Sequence, residues 1–287
     1  MNRFVLSNLL TLALLVPLNF VMAADSSAVS TTKNTTKSSS SSLLKSVVFG
    51  YKSYNDTGRF GYTNKDLSKD AFDGRTYKGK HEAKLGYKHE SGWGAYGQIT
   101  QYRYDYNESS AAANRWSASD PSLTLTHPAW YKSSDLMLLG SARYYVPNTD
   151  RSKALGVKQI SYYFDLVYKM GSGQEIFNDL NPRAFVQDRY GDSDTRYKLE
   201  DVTVYTKTIG QWGRWGVGQW TQYEQHAATA PGLTMDVFPQ FDYLITPKIF
   251  LGPRLYLPVL VQNSVYDGSK AATFENAYLE LFLQASL

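Results

Sequence analysis

Side chains able to do acid–base or nucleophilic work are few and scattered. The 287-residue chain has four histidines, at 81, 89, 127 and 226, and no cysteine. His89-Glu90-Ser91 has the spacing that sets a histidine and a serine on one face of a strand, as a nucleophile and its base require. The pair abuts a short Ser91-Gly92 turn. Glu224 and His226 bring an acid and a histidine to the end of another strand, an arrangement able to activate water. Such pairs are common at loop edges, and the paired acids of a protease cannot be placed. No His/Asp cluster has metal-ligand spacing, no glycine-rich phosphate loop follows a strand and no dinucleotide fingerprint occurs. The expectation is therefore no catalytic residue, no metal and no cofactor.

A second kind of chemistry needs no reactive group. Fixed charges held at a narrow, wet constriction select among ions and solutes by their fields alone. Lys84, Lys88, Arg143, Asp165, Lys169, Arg254 and Glu280 sit in segments that alternate apolar and polar residues, and they are the pore-lining candidates. Their signs are mixed, so pairing across the interior is the competing role for each. Everything then depends on the elements that carry them.

From Leu43 onward the chain resolves into twelve segments with period-two alternation, rich in Tyr, Val, Leu, Phe and Thr, the signature of strands. They run at about 44–54, 80–90, 93–106, 121–131, 135–146, 157–170, 174–187, 197–208, 212–225, 233–245, 248–260 and 276–287. The connections alternate in length. Ser91-Gly92, residues 132–135, Gly171-Ser172-Gly173, Ile209-Gly210-Gln211 and Thr246-Pro247 are tight, whereas 55–79, 107–120, 147–156, 188–196, 226–232 and 261–275 are long. Six long loops alternating with five short turns fit an all-β, antiparallel up-and-down transmembrane barrel with short periplasmic turns, long extracellular loops and both termini in the periplasm. A soluble sandwich also alternates, but its strands are shorter and its loops do not keep this rhythm.

The two halves echo each other at a spacing of six strands. GQITQY at 97–102 matches GQWTQY at 218–223, and LGSARYYVP at 139–147 matches LGPRLYLP at 251–258. YFDLVY at 163–168 likewise matches YLELFL at 278–283, pairing Asp165 with Glu280 and, by the preceding match, Arg143 with Arg254. Strands 1, 3, 7 and 8 alternate too poorly for their faces to be assigned.

The N-terminus sets the expected compartment. Asn2-Arg3 is a short basic region, Phe4 to Val21 is nearly uninterrupted apolar chain, and Val21-Met22-Ala23 offers a cleavage site, so residues 1–23 read as a signal peptide, with a retained anchor as the rival. Residues 24–42 are a Ser/Thr-rich stretch too polar to bury a core and read as a flexible tether. Removing residues 1–23 leaves 29 basic and 26 acidic residues with no basic stripe, which excludes a nucleic-acid binder. An exported chain without cysteine has no disulfide framework and needs a large hydrogen-bond network of its own. The 23 Tyr and 6 Trp suit a protein with two membrane interfaces. Trp93, Trp130, Trp212, Trp215, Tyr144 and Tyr168 fall near strand ends as girdle residues.

In the last segment Leu279, Leu281, Leu283, Ala285 and Leu287 share one face, and Tyr278, Glu280, Phe282 and Gln284 the other. This apolar terminal strand resembles the C-terminal assembly signal of Gram-negative outer-membrane β-barrels, with Leu287 where Phe is usual. The resemblance spans residues 43–287 and is architectural. Among twelve-stranded monomeric families, which include nucleoside channels, the outer-membrane phospholipase and autotransporter translocators, size and loop pattern are most similar to the oligogalacturonate and sialic-acid channels. Those present rows of basic side chains to an acidic sugar, and the mixed lumen charges here depart from that. The resemblance implies a monomeric channel for small hydrophilic solutes in the bacterial outer membrane. Its partners would be membrane lipid, lipopolysaccharide and the barrel-assembly machinery. A barrel enzyme of the phospholipase or protease type and a plugged structural or adhesive barrel are the alternatives. Loop 1, Asn55 to Gly79, either constricts the lumen or stays outside it.

Overall fold

The computed structural model describes residues 46–57, 75–106, 115–192, 194–262 and 274–286. The expected signal peptide and tether lie outside these, as do 58–74 of loop 1. Fourteen strands form one antiparallel sheet: β1 Val47–Thr57, β2 Arg75–Lys88, β3 Gly94–Tyr106, β4 Arg115–Ala118, β5 Ser122–Thr126, β6 Tyr131–Lys132, β7 Leu136–Tyr145, β8 Lys158–Gly171, β9 Gln174–Val186, β10 Thr195–Ile209, β11 Gly213–His226, β12 Gly232–Thr246, β13 Ile249–Gln262 and β14 Tyr278–Ser286. Twelve of them make a ring in chain order. It closes because β1 pairs antiparallel with β14, from Gly50 opposite Ser286 to Asp56 opposite Glu280. Closure leaves the twelve-strand ring without an open edge, so spanning backbone groups can find partners without a disulfide.

The two additions correct the expected strand list. The fourth expected strand breaks into β5 and β6 because Pro128 has no N–H to continue the ladder, and β6 makes only a two-residue pairing with β7. β4 lies within the expected loop at 107–120, pairing Arg115–Ala118 with Tyr104–Gln101 of β3. The first strand begins three residues later than its expected start at 44, and both it and β2 extend into loop 1.

The short connections are those the sequence marks. At the tightest, Gly171, Ser172 and Gly173 have φ of 80°, 52° and 70°, a left-handed run that glycine enters without a Cβ clash. The long-loop end carries a short helix, α1 Asp150–Ala154, whose N-cap Thr149 accepts from the Ser152 N–H.

Alternation through the ladders fixes the faces. Leu85, Ile99, Leu123, Leu125, Ile160, Val217, Ile245, Val259, Leu279 and Leu281 point outward and are exposed. All six aromatic residues read as girdle residues are also exposed. An apolar belt of this extent bounded by aromatic rings is the surface of a membrane-spanning barrel.

Two outward patches break the rule. On β9–β11, Asn178 and Gln219 both donate to the Asp201 carboxylate, the latter at 2.8 Å, and Thr221 donates to Gln219 at 2.7 Å. On β1–β2, His81 bonds Tyr51 at 2.9 Å, and Tyr77 donates to Asn55 at 2.7 Å. Each patch satisfies its polar atoms internally, as a polar group facing hydrocarbon must.

The six-strand repeat holds only partly. Arg143 on β7 and Arg254 on β13 both face inward six ring positions apart, as do Asp165 on β8 and Glu280 on β14. The GQITQY and GQWTQY segments do not superpose by face. Gln98 lines the interior on β3, whereas its sequence match Gln219 belongs to the outward patch on β11. A one-residue slip exchanges the faces of a strand, so this match does not preserve side-chain direction.

Candidate functional site

The inward side chains enclose a cavity of about 1290 Å³ to which each of the twelve ring strands contributes. Its lining runs from Ser91, Pro128 and Lys132 at the short-turn end to Asp120 and Thr149 at the long-loop end. Twelve strands give an interior wider than an eight-stranded barrel, which side chains fill, and narrower than a sixteen-stranded porin.

Much of the charge in the lining is paired. Arg254 lies 3.4 Å from Glu280, its cross-strand neighbour, and its guanidinium stacks 3.8 Å over the Phe282 ring. Arg214 meets Asp242 at 2.6 Å. Glu200 is a hub, receiving Arg183 at 3.1 Å, Lys198 at 3.2 Å and the Gln222 amide at 2.6 Å, while Lys198 also holds Glu224 at 2.8 Å. Lys80 pairs with Glu82 at 2.8 Å. Arg143 is held differently. It donates to Thr124 at 3.0 Å and Tyr96 at 3.4 Å and lies 4.5 Å from the Tyr163 ring centre, with no ion pair among the described residues. Eleven basic and nine acidic side chains line the cavity, so its field is mixed and nearly balanced.

The other wall is aromatic. Tyr256 stacks on Tyr278 with centroids 4.8 Å apart and touches Phe238 at 4.7 Å, and Trp220 and Val204 complete a packed cluster on β10–β14. These rings take up interior space and narrow the water-filled part of the lumen.

Of the seven sequence candidates, Lys84, Lys88, Arg143, Asp165, Arg254 and Glu280 line the cavity. Lys169 does not. It lies exposed at the short-turn end of β8, opposite Glu175. Lys52, Lys80, Glu82, Asp179, Arg183 and Glu200 line the cavity but were not singled out in sequence. Four of these stand on strands whose faces were unassigned. A signal existed on β9, where Asp179, Asn181, Arg183 and Phe185 alternate with Leu180, Pro182 and Ala184.

His89 Nδ1 and Ser91 Oγ approach to 2.8 Å in the exposed turn, and the Ser91 N–H donates to the same nitrogen at 3.2 Å. This is a local turn contact, and among the described residues no third side chain hydrogen-bonds the ring. Glu224 is engaged by Lys198 rather than His226, whose Nδ1 is buried without a partner.

At the long-loop end, Asp120 accepts from the backbone N–H groups of Asn148 and Thr149, each at 2.8 Å, and from the Ser152 hydroxyl. Partial burial works against its charged form. The hydrogen bonds outweigh it and hold the carboxyl below the usual aspartate value.

No protein-family model matches the sequence, and no curated protein matches it. Solved structures do match. An outer membrane channel from Pseudomonas putida F1 is similar over 84% of this chain and 96% of its own, with 13% identity and a TM-score of 0.57. The NanC porin is similar over 83% of this chain and 98% of its own, at 10% identity and a TM-score of 0.48. The KdgM porin follows over 84% and 99%, at 8% identity and a TM-score of 0.44. At such identities the likeness is one of fold: this twelve-stranded barrel shares the fold of the Pseudomonas channel.

Proposed function

We propose that this protein is a channel of the bacterial outer membrane that passes small hydrophilic solutes by diffusion. One observation carries the reading: a charged, polar cavity lined by all twelve ring strands reaches from the short-turn end to the long-loop end, inside a wall whose outer face is apolar. Such an interior keeps water and dissolved solutes within a shell that hydrocarbon can surround. The fold shared with a protein described as an outer membrane channel supports this.

The charge balance points to a mild filter. Arg254, Glu280, Glu200, Arg183 and Lys198 are held in ion pairs, and Arg143 is an inward positive charge without one among the described residues. We read the protein as a monomer without enzymatic activity, inserted by the barrel-assembly machinery among phospholipid and lipopolysaccharide. A row of basic side chains suited to an acidic sugar is not the pattern of this lining, where acids are nearly as numerous.

Liposome swelling tests the channel. Vesicles carrying the refolded barrel are expected to swell in isosmotic small neutral sugars at rates that fall with sugar size. Swelling no faster than protein-free vesicles, with the barrel shown to be folded, would overturn the proposal.

A further inference from the structure

On the wall formed by β8 and β9, Asp165 and Asp179 stand directly across from each other in the antiparallel ladder, both lining the cavity. Like charges in that position destabilise a sheet unless something positive joins them. Glu82, Glu200, Asp242 and Glu280 each have a basic partner within 3.4 Å. Asp165 and Asp179 have no ion pair and no hydrogen bond among the described residues, and Asp179 Oδ1 is buried without a partner.

A second observation comes from the next inward position on β9. Asn181 is 2% exposed, and its side-chain oxygen is also buried and unpartnered. The Asn181 amide makes no hydrogen bond among the described residues and stands at the inward position next to Asp179 on the same stretch of wall. The neighbouring cations are engaged elsewhere, Arg143 by Thr124 and the Tyr163 ring and Arg183 by Glu200. Lys52 reaches across the lumen from β1 and is the basic side chain whose charge acts most strongly on Asp165, ahead of Arg143, so the pair feels a positive field without a direct cationic contact among the described residues. Buried oxygen acceptors left without donors are costly, and a hard cation is the ligand that satisfies carboxylate and amide oxygens together.

We propose that Asp165, Asp179 and Asn181 form a cation-binding site in the lumen wall that takes a hard divalent ion of the calcium type. No group of three acidic or histidine side chains is gathered among the described residues, so water completes the coordination and the site is weak. A dissociation constant of about 0.1–1 mM, as in extracellular calcium modules, is the matching range. The inference rests on the channel reading only for its consequence: a filled site cancels the acidic pair and leaves the lumen to Lys52, Lys84 and Arg143, favouring anions.

The test measures binding apart from transport. Full-length mature protein, refolded in detergent micelles free of lipopolysaccharide, is titrated with calcium by equilibrium dialysis, and folding is checked by heat-modifiable migration. One calcium per barrel is expected, at least tenfold weaker in Asp165→Asn and in Asp179→Asn and severalfold weaker in Asn181→Leu. Asp179→Glu keeps the charge and retains binding, which separates ligation from a folding defect. No saturable calcium binding up to about 10 mM, above the weakest of these modules, would overturn the site, as would unchanged binding in both Asn variants. Swelling of vesicles with no calcium binding removes the site and leaves the channel; binding without swelling does the reverse.

Discussion

Breaking the Arg254–Glu280 pair should cost the barrel more than removing it altogether. The two residues are cross-strand neighbours on β13 and β14, each 5% exposed, with Nη1 and Oε1 3.4 Å apart. Two unit charges at that separation in an effective dielectric of about 20 attract by roughly 5 kcal/mol, most of it offset by the loss of hydration. Glu280→Gln keeps the size of the side chain and an oxygen for the Tyr256 hydroxyl but takes the charged partner from a buried guanidinium. The expected loss is about 3 kcal/mol, the lower end for a broken buried pair because Phe282 still stacks on Arg254. Arg254→Met strands the carboxylate and should lose a similar amount. The double variant Arg254→Met with Glu280→Leu removes both members of the pair, and its loss should be within about 1 kcal/mol of zero. Reversible urea unfolding in thin phospholipid vesicles, followed by tryptophan fluorescence, measures all three. Single variants within about 0.5 kcal/mol of the parent, or a double variant whose loss equals the sum of the singles, would refute the reasoning.

Three further outcomes follow from the same geometry. Arg143→Glu replaces an inward cation that has no ion pair among the described residues by an anion and should move the zero-current potential in a salt gradient toward cation selectivity; an unmoved potential would show that the guanidinium does not act on the passage. Gly252→Ala puts a Cβ on the carbonyl oxygen of Phe241, a contact with backbone rather than a movable side chain, and should cost more than about 2 kcal/mol or prevent assembly, read by heat-modifiable migration. Asp120, whose carboxyl is held below its ordinary value, contributes stability that is present above about pH 4 and is lost as pH falls through the lowered value. Amide exchange in 148–157, corrected for intrinsic rate, should therefore stay slow at pH 7 and 5 and quicken below pH 4, and Asp120→Asn should quicken it at every pH.

Much of the fold was legible because closure leaves a periodic trace. The terminal strand alternates from Leu279 to Ala285 without fault, and the run Gly171-Ser172-Gly173 can only be a tight turn. The site was legible where one face is apolar throughout, as around Arg254 and Glu280. It was obscured where the outward face carries polar residues of its own. On β10 the outward Asp201 and Thr203 sit between inward Glu200, Val202 and Val204, so hydropathy no longer separates the faces, and the Glu200 hub was missed. On β1 and β2 the Tyr51–His81 patch does the same, which hid Lys52. β4 was hidden by its length of four residues, and the break in the fourth strand at Pro128 was in plain sight.

Single-channel current through the refolded protein in a planar bilayer bears most directly on the central claim. The nearly balanced lining predicts stable conductance steps with weak ion selectivity. A correctly folded barrel that inserts and stays electrically silent would contradict the account.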